Sequence, residues 1–287
     1  MDPMDGNFPH SPGACPACAA ETRFVHAWVY RCLACGLEAA CLSPGIGSSV
    51  GGLETLRRRN FNSILHALND GLCGTRKRLL EIGCASGLFL EAAKPHGYSV
   101  IGIEPSDSSH EARAKNFEVL TEPFFEAAAR YADDSFDIIV FNDVFEHLAD
   151  PAGVLAECSR LLADDGRIVI NLPVNGGILY SIARILRHVG LDGPYDRMWQ
   201  KGFSSPHLFY YSDASLVRLL EKEIGFRLRL NARLRSTHLN GMWKRVSSGA
   251  DNKFGALFTY MLASGFAIVE PLFPADIKFF IFEKKPA

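Results

Sequence analysis

Hydrophobic positions along this chain follow two rhythms. From Leu53 they recur at three- and four-residue steps through Leu56, Phe61, Ile64, Leu65 and Leu68, which predicts an amphipathic helix. Beyond it, nearly unbroken apolar runs at 78–82, 99–103, 136–141 and 167–172 alternate with further helical stretches. Strands buried on both faces of a parallel sheet have this pattern. The clearest helix opens at Asp150-Pro151, an N-cap followed by proline at the first helical position. It carries Val154, Leu155, Cys158, Leu161 and Leu162 on one stripe and is expected to end at Gly166. Such alternation predicts an α/β, doubly wound sheet. The last third changes character. A helix from 213 to about 223 stops near Gly225, 226–230 alternates as a strand with one wet face, and 277–282 is a closing strand. A long insertion, about 236–273, lies between those strands.

Composition narrows the class. The 287 residues are 48% hydrophobic and 22% charged, enough for one large core and a small appendage. A formal net charge of -2 gives no electrostatic footprint for nucleic acid. The clusters Arg57-Arg58-Arg59 and Arg76-Lys77-Arg78 are taken as solvated faces. The opening Met1-Asp2-Pro3-Met4-Asp5-Gly6 has neither the basic start nor the apolar stretch of a signal peptide. The longest uncharged apolar run, 254–269, falls short of the roughly 20 residues of a bilayer span. It is expected to be a core-packing helix, with a lipid-facing, peripheral membrane contact as the alternative. A cytoplasmic protein with reduced cysteines is expected.

Five of the eight cysteines fall before residue 45. Cys15-Pro16-Ala17-Cys18, thirteen residues, then Cys32-Leu33-Ala34-Cys35-Gly36 is the spacing of a zinc ribbon, closed by four thiolates around a structural Zn²⁺. Residues 24–30 are expected as the strand between the knuckles. Ala19 stands where the first knuckle usually has glycine. Cys41 and His26 are spare ligands, and Cys73, Cys84 and Cys158 suit small core positions. A Gly/Ser-rich linker starts at Ser43.

The run Leu80-Glu81-Ile82-Gly83-Cys84-Ala85-Ser86-Gly87 takes a strand through a tight turn into a helix. Small residues there let backbone approach a ligand, and the following amides can receive an anion. Seventeen residues after Gly87 the next strand ends in Glu104, followed by Pro105-Ser106, where a carboxylate can accept both hydroxyls of a ribose. These two features fit any nucleoside cofactor, although the dinucleotide glycine pattern is incomplete.

Five ordered motifs make the resemblance specific. Glu81 to Gly87 and Val100-Ile101-Gly102-Ile103-Glu104 are similar to the first two motifs of class I S-adenosylmethionine-dependent methyltransferases. Phe136 to Asn142, continuing Asp143-Val144-Phe145-Glu146-His147-Leu148-Ala149-Asp150-Pro151, resembles that family's fourth-strand motif. Leu161 to Ile170 resembles its fifth-strand entry. His207-Leu208-Phe209-Tyr210-Tyr211-Ser212 resembles the matching stretch of the type 11/23-like subgroup. The resemblance implies a Rossmann-like, seven-stranded methyltransferase domain over 46–287 behind a ribbon at 1–45, with a lid insertion at about 173–210. It further implies that Glu81, Gly83, Cys84, Ala85, Ser86 and Gly87 line the methionine half of the cofactor. Glu104 and Pro105 would meet the ribose, Glu122 and Phe124 the adenine, and Asn142 the sulfonium side.

Methyl transfer needs an aligned acceptor, a dry site and, for some acceptors, a base. His147 and His207 are the candidate bases, with packing roles as their alternative. Asp143, Glu146 and His147 have a spacing similar to that in ubiquinone-type O-methyltransferases and are a candidate divalent-cation site, with helix capping and surface charge the favoured alternative. Tyr180, Arg184, Arg187, His188, Tyr195, Trp199, Lys201 and Phe203 in the lid either grip the acceptor or pack on one another. A ribbon ahead of such a domain resembles a bacterial arrangement associated with surface-polysaccharide, sugar and secondary-metabolite pathways. A small-molecule acceptor, glycosyl or lipid-linked, is therefore expected. The alternatives are an RNA methyltransferase with a zinc module and a cofactor-binding pseudoenzyme that docks a partner.

Overall fold

Thr22–His26 (β1) and Val29–Cys32 (β2) form an antiparallel hairpin, and Glu38–Ala40 (β3) pairs along β2. The single strand expected over 24–30 is therefore broken: His26 pairs with Val29, so the chain reverses at Ala27-Trp28. The computed structural model describes residues 13–46, 53–69, 77–239, 242–243 and 253–285. Cys73 and the linker glycines Gly47, Gly51 and Gly52 lie outside these described residues.

The helix read from Leu53 is α1 (Glu54–Asn69), and its predicted stripe is buried. There follow β4 (Arg78–Ile82), α2 (Leu88–Ala93), β5 (Ser99–Ile103), α3 (Ser109–Ala114), β6 (Glu118–Leu120), α4 (Phe124–Ala128), β7 (Phe136–Asn142), α5 (Pro151–Leu161) and β8 (Leu162–Pro173). Asp150 caps α5 as predicted, accepting from the Gly153 amide at 2.9 Å. The helix ends at Leu161 rather than Gly166. Leu162 already pairs with Phe136, and Asp165 takes a left-handed φ of 59° in the irregular stretch before Arg167 pairs with Ile138.

After β8 come α6 (Ile178–His188), α7 (Gly193–Met198), β9 (Phe209–Tyr210), α8 (Asp213–Arg218), β10 (Phe226–Leu234), α9 (Lys253–Val269) and β11 (Ile277–Lys284). A wider helical turn, Leu219–Ile224, carries α8 on to Gly225, whose φ of 85° stops it.

The large sheet runs β10-β11-β8-β7-β4-β5-β6; all neighbours from β8 to β6 are parallel, and β11 is antiparallel to both β8 and β10. Successive residues feed opposite faces, as the pleat demands. Leu80, Ile82, Ile139, Phe141 and Phe280 join one core, while Leu79, Ile138, Val140, Phe279 and Ile281 join the other, under α1. This is the Rossmann-like sheet that the sequence predicts. The strand order reverses between β4 and β7, which opens a crevice at their carboxyl ends.

The ribbon is sewn into this frame. β9 pairs antiparallel with β3, giving a second sheet β1-β2-β3-β9. Behind it Tyr180, Tyr195 and Trp199 are fully buried against Val29, Ala40 and Tyr210, with Trp28 edge-on to Trp199. Glu38, also buried, accepts the Tyr180 hydroxyl and lies 3.7 and 4.0 Å from Arg31 and Arg184. Arg187 covers the Tyr195 ring and Lys201 covers Trp28. These lid aromatics therefore pack on the ribbon instead of facing an acceptor.

The core-packing expectation for 254–269 also needs correction. The segment is helical as α9, yet Leu257, Met261, Ile268 and Val269 stand in solvent. No helix among the described residues is long and apolar enough to cross a membrane.

Candidate active site

The crevice is built on the turn after β4. Gly83, Ala85 and Gly87 all have positive φ, at 73°, 44° and 74°. A β-carbon on Gly83 would sit 2.5 Å from a Val144 methyl, so only glycine fits between the turn and the end of β7. The Gly83 and Cys84 amides bond to the Ile103 carbonyl at 2.8 and 3.2 Å, which pins the turn to β5. Lys115 Nζ donates to the Ser86 carbonyl at 3.0 Å.

Glu104 spans the next strand end and the turn. Its Oε2 accepts the Ala85 amide and its Oε1 the Ser106 amide, both at 2.9 Å. Each oxygen keeps a lone pair for an outside hydroxyl. Pro105 beside it is exposed.

Glu81 is the most constrained group here. It is only 2% exposed. Asn142 Nδ2 donates to its Oε1 at 2.9 Å, while Oε2 has no partner. Burial pushes this carboxyl up to about 8, and the bond from Asn142 opposes the shift. Asn171 Nδ2 in turn reaches Asn142 Oδ1 at 3.4 Å. A buried carboxylate oxygen without a donor is costly, and a cationic ligand would relieve it.

Five residues beyond Asn142 a second cluster forms. Glu146 and His207 are buried, with 3.9 Å between Oε1 and Nε2, and the rings of His147 and His207 are 4.8 Å apart. The Pro206 carbonyl lies 2.8 Å from His147 Nδ1. A carbonyl only accepts, so Nδ1 carries the proton and Nε2 offers the lone pair. Gln200 Nε2 lies 2.9 Å from His207 Nε2. Burial raises the Glu146 carboxyl well above its usual range, with Asp143 adding to the shift. Burial likewise lowers His147 and, much further, His207. Both imidazoles are neutral at physiological pH; His147 keeps its Nε2 lone pair for a proton, whereas the Nε2 of His207 already accepts from the Gln200 amide.

Asp143, read with Glu146 and His147 as a cation site, is instead paired with Arg57 at 3.6 Å. The ligand atoms that converge within 4.8 Å are those of Glu146, His147 and His207. In the ribbon, Cys15, Cys18, Cys32 and Cys35 converge in the same way, with sulfur separations of 3.6 Å for Cys15 and Cys35 and 3.4 Å for Cys18 and Cys32. Their two turns match: Ala19 and Gly36 are both left-handed, and each amide bonds back to the first cysteine of its knuckle. Neither spare ligand enters the cluster; His26 packs against Trp28 and Tyr195. Cys84 and Cys158 are buried core residues, as read from sequence.

A family model described as a methyltransferase domain matches residues 53–230. The chain belongs to this methyltransferase family. It is similar to the ubiquinone biosynthesis O-methyltransferase of Aromatoleum aromaticum, 35% identical over 107 residues, which are 35% of this chain and 44% of that protein. The chain thus spans about half the length of the curated relatives it matches. In fold it is similar to a SAM dependent methyltransferase from Archaeoglobus fulgidus, at TM-score 0.50 and 21% identity, covering 81% of this chain and 97% of the other. It is similar as well to the cyclopropane synthase MmaA2 from Mycobacterium tuberculosis, at TM-score 0.51 and 16% identity, covering 83% and 90%.

Within the methyltransferase domain the structure brings together Glu81, Gly83, Cys84, Ala85, Ser86, Gly87, Glu104 and Asn142. Glu122 and Phe124 follow β6; Glu122 accepts from Arg130 at 2.8 Å and Phe124 meets Phe125 edge-on. Sequence reasoning missed Asn171, whose signal was a lone amide inside an apolar strand. It also missed Gln200 and Pro206, which no local pattern marks, and it took Arg57, the partner of Asp143, for part of a solvated face.

The raised Glu81 carboxyl has a consequence for stability. Folded, it keeps its proton up to about pH 8; unfolded, it loses it near 4.5. The stability this neutral form contributes is complete below 4.5 and is lost as pH rises through 8. Without cofactor, Glu81→Gln should therefore gain on the parent chain as pH rises from about 5 to about 8, by up to about 1.4 kcal/mol per unit. Urea unfolding across that range checks this, and parallel profiles would contradict it.

Proposed function

We propose that the protein transfers a methyl group from S-adenosylmethionine to a hydroxyl of a small-molecule acceptor. The observation that carries this is the buried, half-paired Glu81 beside a positive-φ turn bridged to Glu104. The residues suit that cofactor. Glu81 Oε2 would take the methionine ammonium, the turn amides its carboxylate, and the remaining lone pairs of Glu104 the ribose hydroxyls. Pro105, Glu122 and Phe124 would border the nucleoside, and Asn142 the sulfonium side. When bound, the cofactor supplies a methyl on a positively charged sulfur, open to in-line displacement.

This chain's own residues do the rest. His147, with Nδ1 committed to Pro206, would accept the acceptor's proton at Nε2, with the His207 ring packed against it at 4.8 Å. The O-methyltransferase names of the relatives support an oxygen acceptor. A sugar, lipid-linked or secondary-metabolite intermediate fits the reading.

The four cysteines are proposed to hold a structural Zn²⁺, since four thiolates leave no open position. Residues 1–45 then form the ribbon and 46–287 the methyltransferase domain.

S-adenosylhomocysteine should raise the melting temperature of the purified chain and NADH should not. Glu104→Ala should weaken that response at least about tenfold in ligand concentration, since it removes two hydroxyl acceptors. A shift with NADH alone would overturn the cofactor assignment. Elemental analysis should find about one zinc per chain, lost in Cys18→Ser; zinc retained in that variant would place the ion elsewhere.

A further inference from the structure

The carboxyl end of β8 opens on a cavity of about 370 Å³, within the size range of small-molecule sites. Val174, Asn175 and Gly176 form one side of it, the start of α8 another, and Pro274 and Lys278 close it beside β11. Val174 follows closely on Asn171, whose amide reaches Asn142. The cavity therefore lies beside the crevice, along the sheet edge where acceptors enter such folds.

Asn175 marks this cavity as a binding site. Its side chain is buried, at 8% exposure. Nδ2 donates to the Gly36 carbonyl at 2.7 Å and to the Tyr210 carbonyl at 3.4 Å. Both partners only accept, so the amide cannot be turned over. Oδ1 is left on the cavity side and takes no hydrogen bond from the described residues. Ser212 is by contrast fully occupied: its hydroxyl donates to the Cys35 carbonyl at 2.7 Å and accepts the Ser215 amide at 3.0 Å. The second cysteine knuckle thus orients the polar wall.

An ion pair completes the polar groups. Lys278 Nζ donates to Asp213 Oδ2 at 2.6 Å, and Asn231 Nδ2 reaches the same oxygen at 3.4 Å. Asp213 Oδ1 and the other ammonium hydrogens of Lys278 stay open. The cavity presents two hydrogen-bond acceptors and one donor group, and its two charges cancel.

That set selects the ligand. A phosphate or carboxylate would face Asn175 Oδ1 and the Asp213 carboxylate, with the one cation already neutralised. A lipid chain or a bare aromatic ring would leave a buried amide oxygen without a donor, and no aromatic side chain lines the cavity to stack a ring. A hydroxyl both donates and accepts. Neighbouring hydroxyls on one ring can donate to Asn175 and Asp213 and accept from Lys278. Val174, Pro274 and Ala275 meet the C–H face of that ring.

We propose that this cavity binds a glycosyl group, held through vicinal hydroxyls by Asn175, Asp213 and Lys278, and that the group belongs to the methyl acceptor. The second clause rests on the methyl-transfer reading; the first does not.

Saturation-transfer NMR on the full chain tests this, with the methyl glycosides of glucose, galactose, mannose and rhamnose as probes. At least one should receive saturation, and Asn175→Ala should weaken its binding at least about tenfold. Because Asn175 also bonds to the ribbon, Gly176→Phe serves as a second variant. A β-carbon on Gly176 meets nothing within 4 Å, so the added ring enters open space at the cavity. Glycoside binding should vanish there, while the melting curve and the S-adenosylhomocysteine shift stay those of the parent chain. Saturation of none of the four probes, or saturation equal in parent and Gly176→Phe, overturns the proposal. Displacement of the glycoside by inorganic phosphate assigns the cavity to an anion and overturns it too. Labelled methyl from S-adenosylmethionine should appear on the glycoside that binds; none, with glycoside and S-adenosylhomocysteine both bound, overturns the second clause alone. Glycoside binding without any response to S-adenosylhomocysteine upholds the cavity and sinks the methyl-transfer reading instead.

Discussion

A carboxyl group that cannot reach water organises this protein. Glu81 is the last residue but one of β4, a strand buried on both faces, so its charge has no solvent to relax into. Its partner Asn142 comes from the neighbouring strand across the reversal in strand order. Holding that pair fixes the separation of β4 and β7 at their carboxyl ends, and with it the crevice. The turn that follows then has no freedom either: Val144 closes over Gly83, and Glu104 ties the Ala85 amide to the next strand. An interior arranged around one unpaired acid oxygen is poised for a cation.

The ribbon acts on the opposite bank of that crevice. Ser212 Oγ donates to the Cys35 carbonyl and Asn175 Nδ2 to the Gly36 carbonyl, both at 2.7 Å, so the second knuckle holds the rim at the ends of β8 and β9. The Ala40 amide bonds to the Leu208 carbonyl, and the Leu208 amide to the Glu146 carbonyl, each at 2.9 Å. One run of backbone thus connects β3, the strand after His207 and the loop bearing Glu146 and His147. Cysteines far along the chain from His147 and His207 help set the spacing of those two histidines.

The sheet was legible in the sequence because its strands are buried on both faces. Apolar runs at Leu79-Leu80 and Ile138-Ile139-Val140 leave no other assignment once helices alternate with them. The turn residues and Glu104 were legible as well, since small residues and one acid at fixed offsets are a local signal. What escaped was long-range. Nothing near Tyr180, Tyr195 or Trp199 announces that their partners are Val29 and Ala40, more than a hundred residues away, so lid aromatics resembled an acceptor grip. Gln200 and Pro206 are ordinary loop residues until the fold sets them beside the two histidines. In α9 the uncharged run suggested burial, because composition records apolarity but not which side of a helix finds a neighbour.

If a ligand's ammonium group completes Glu81, binding must ionise a carboxyl that holds its proton up to about pH 8. Titration calorimetry of S-adenosylhomocysteine at neutral pH, in buffers of different ionisation enthalpy, counts the protons released. Release approaching one proton per site, abolished in Glu81→Gln together with most of the affinity, is the expected result. Binding with no proton release, or an affinity indifferent to that substitution, would contradict the account.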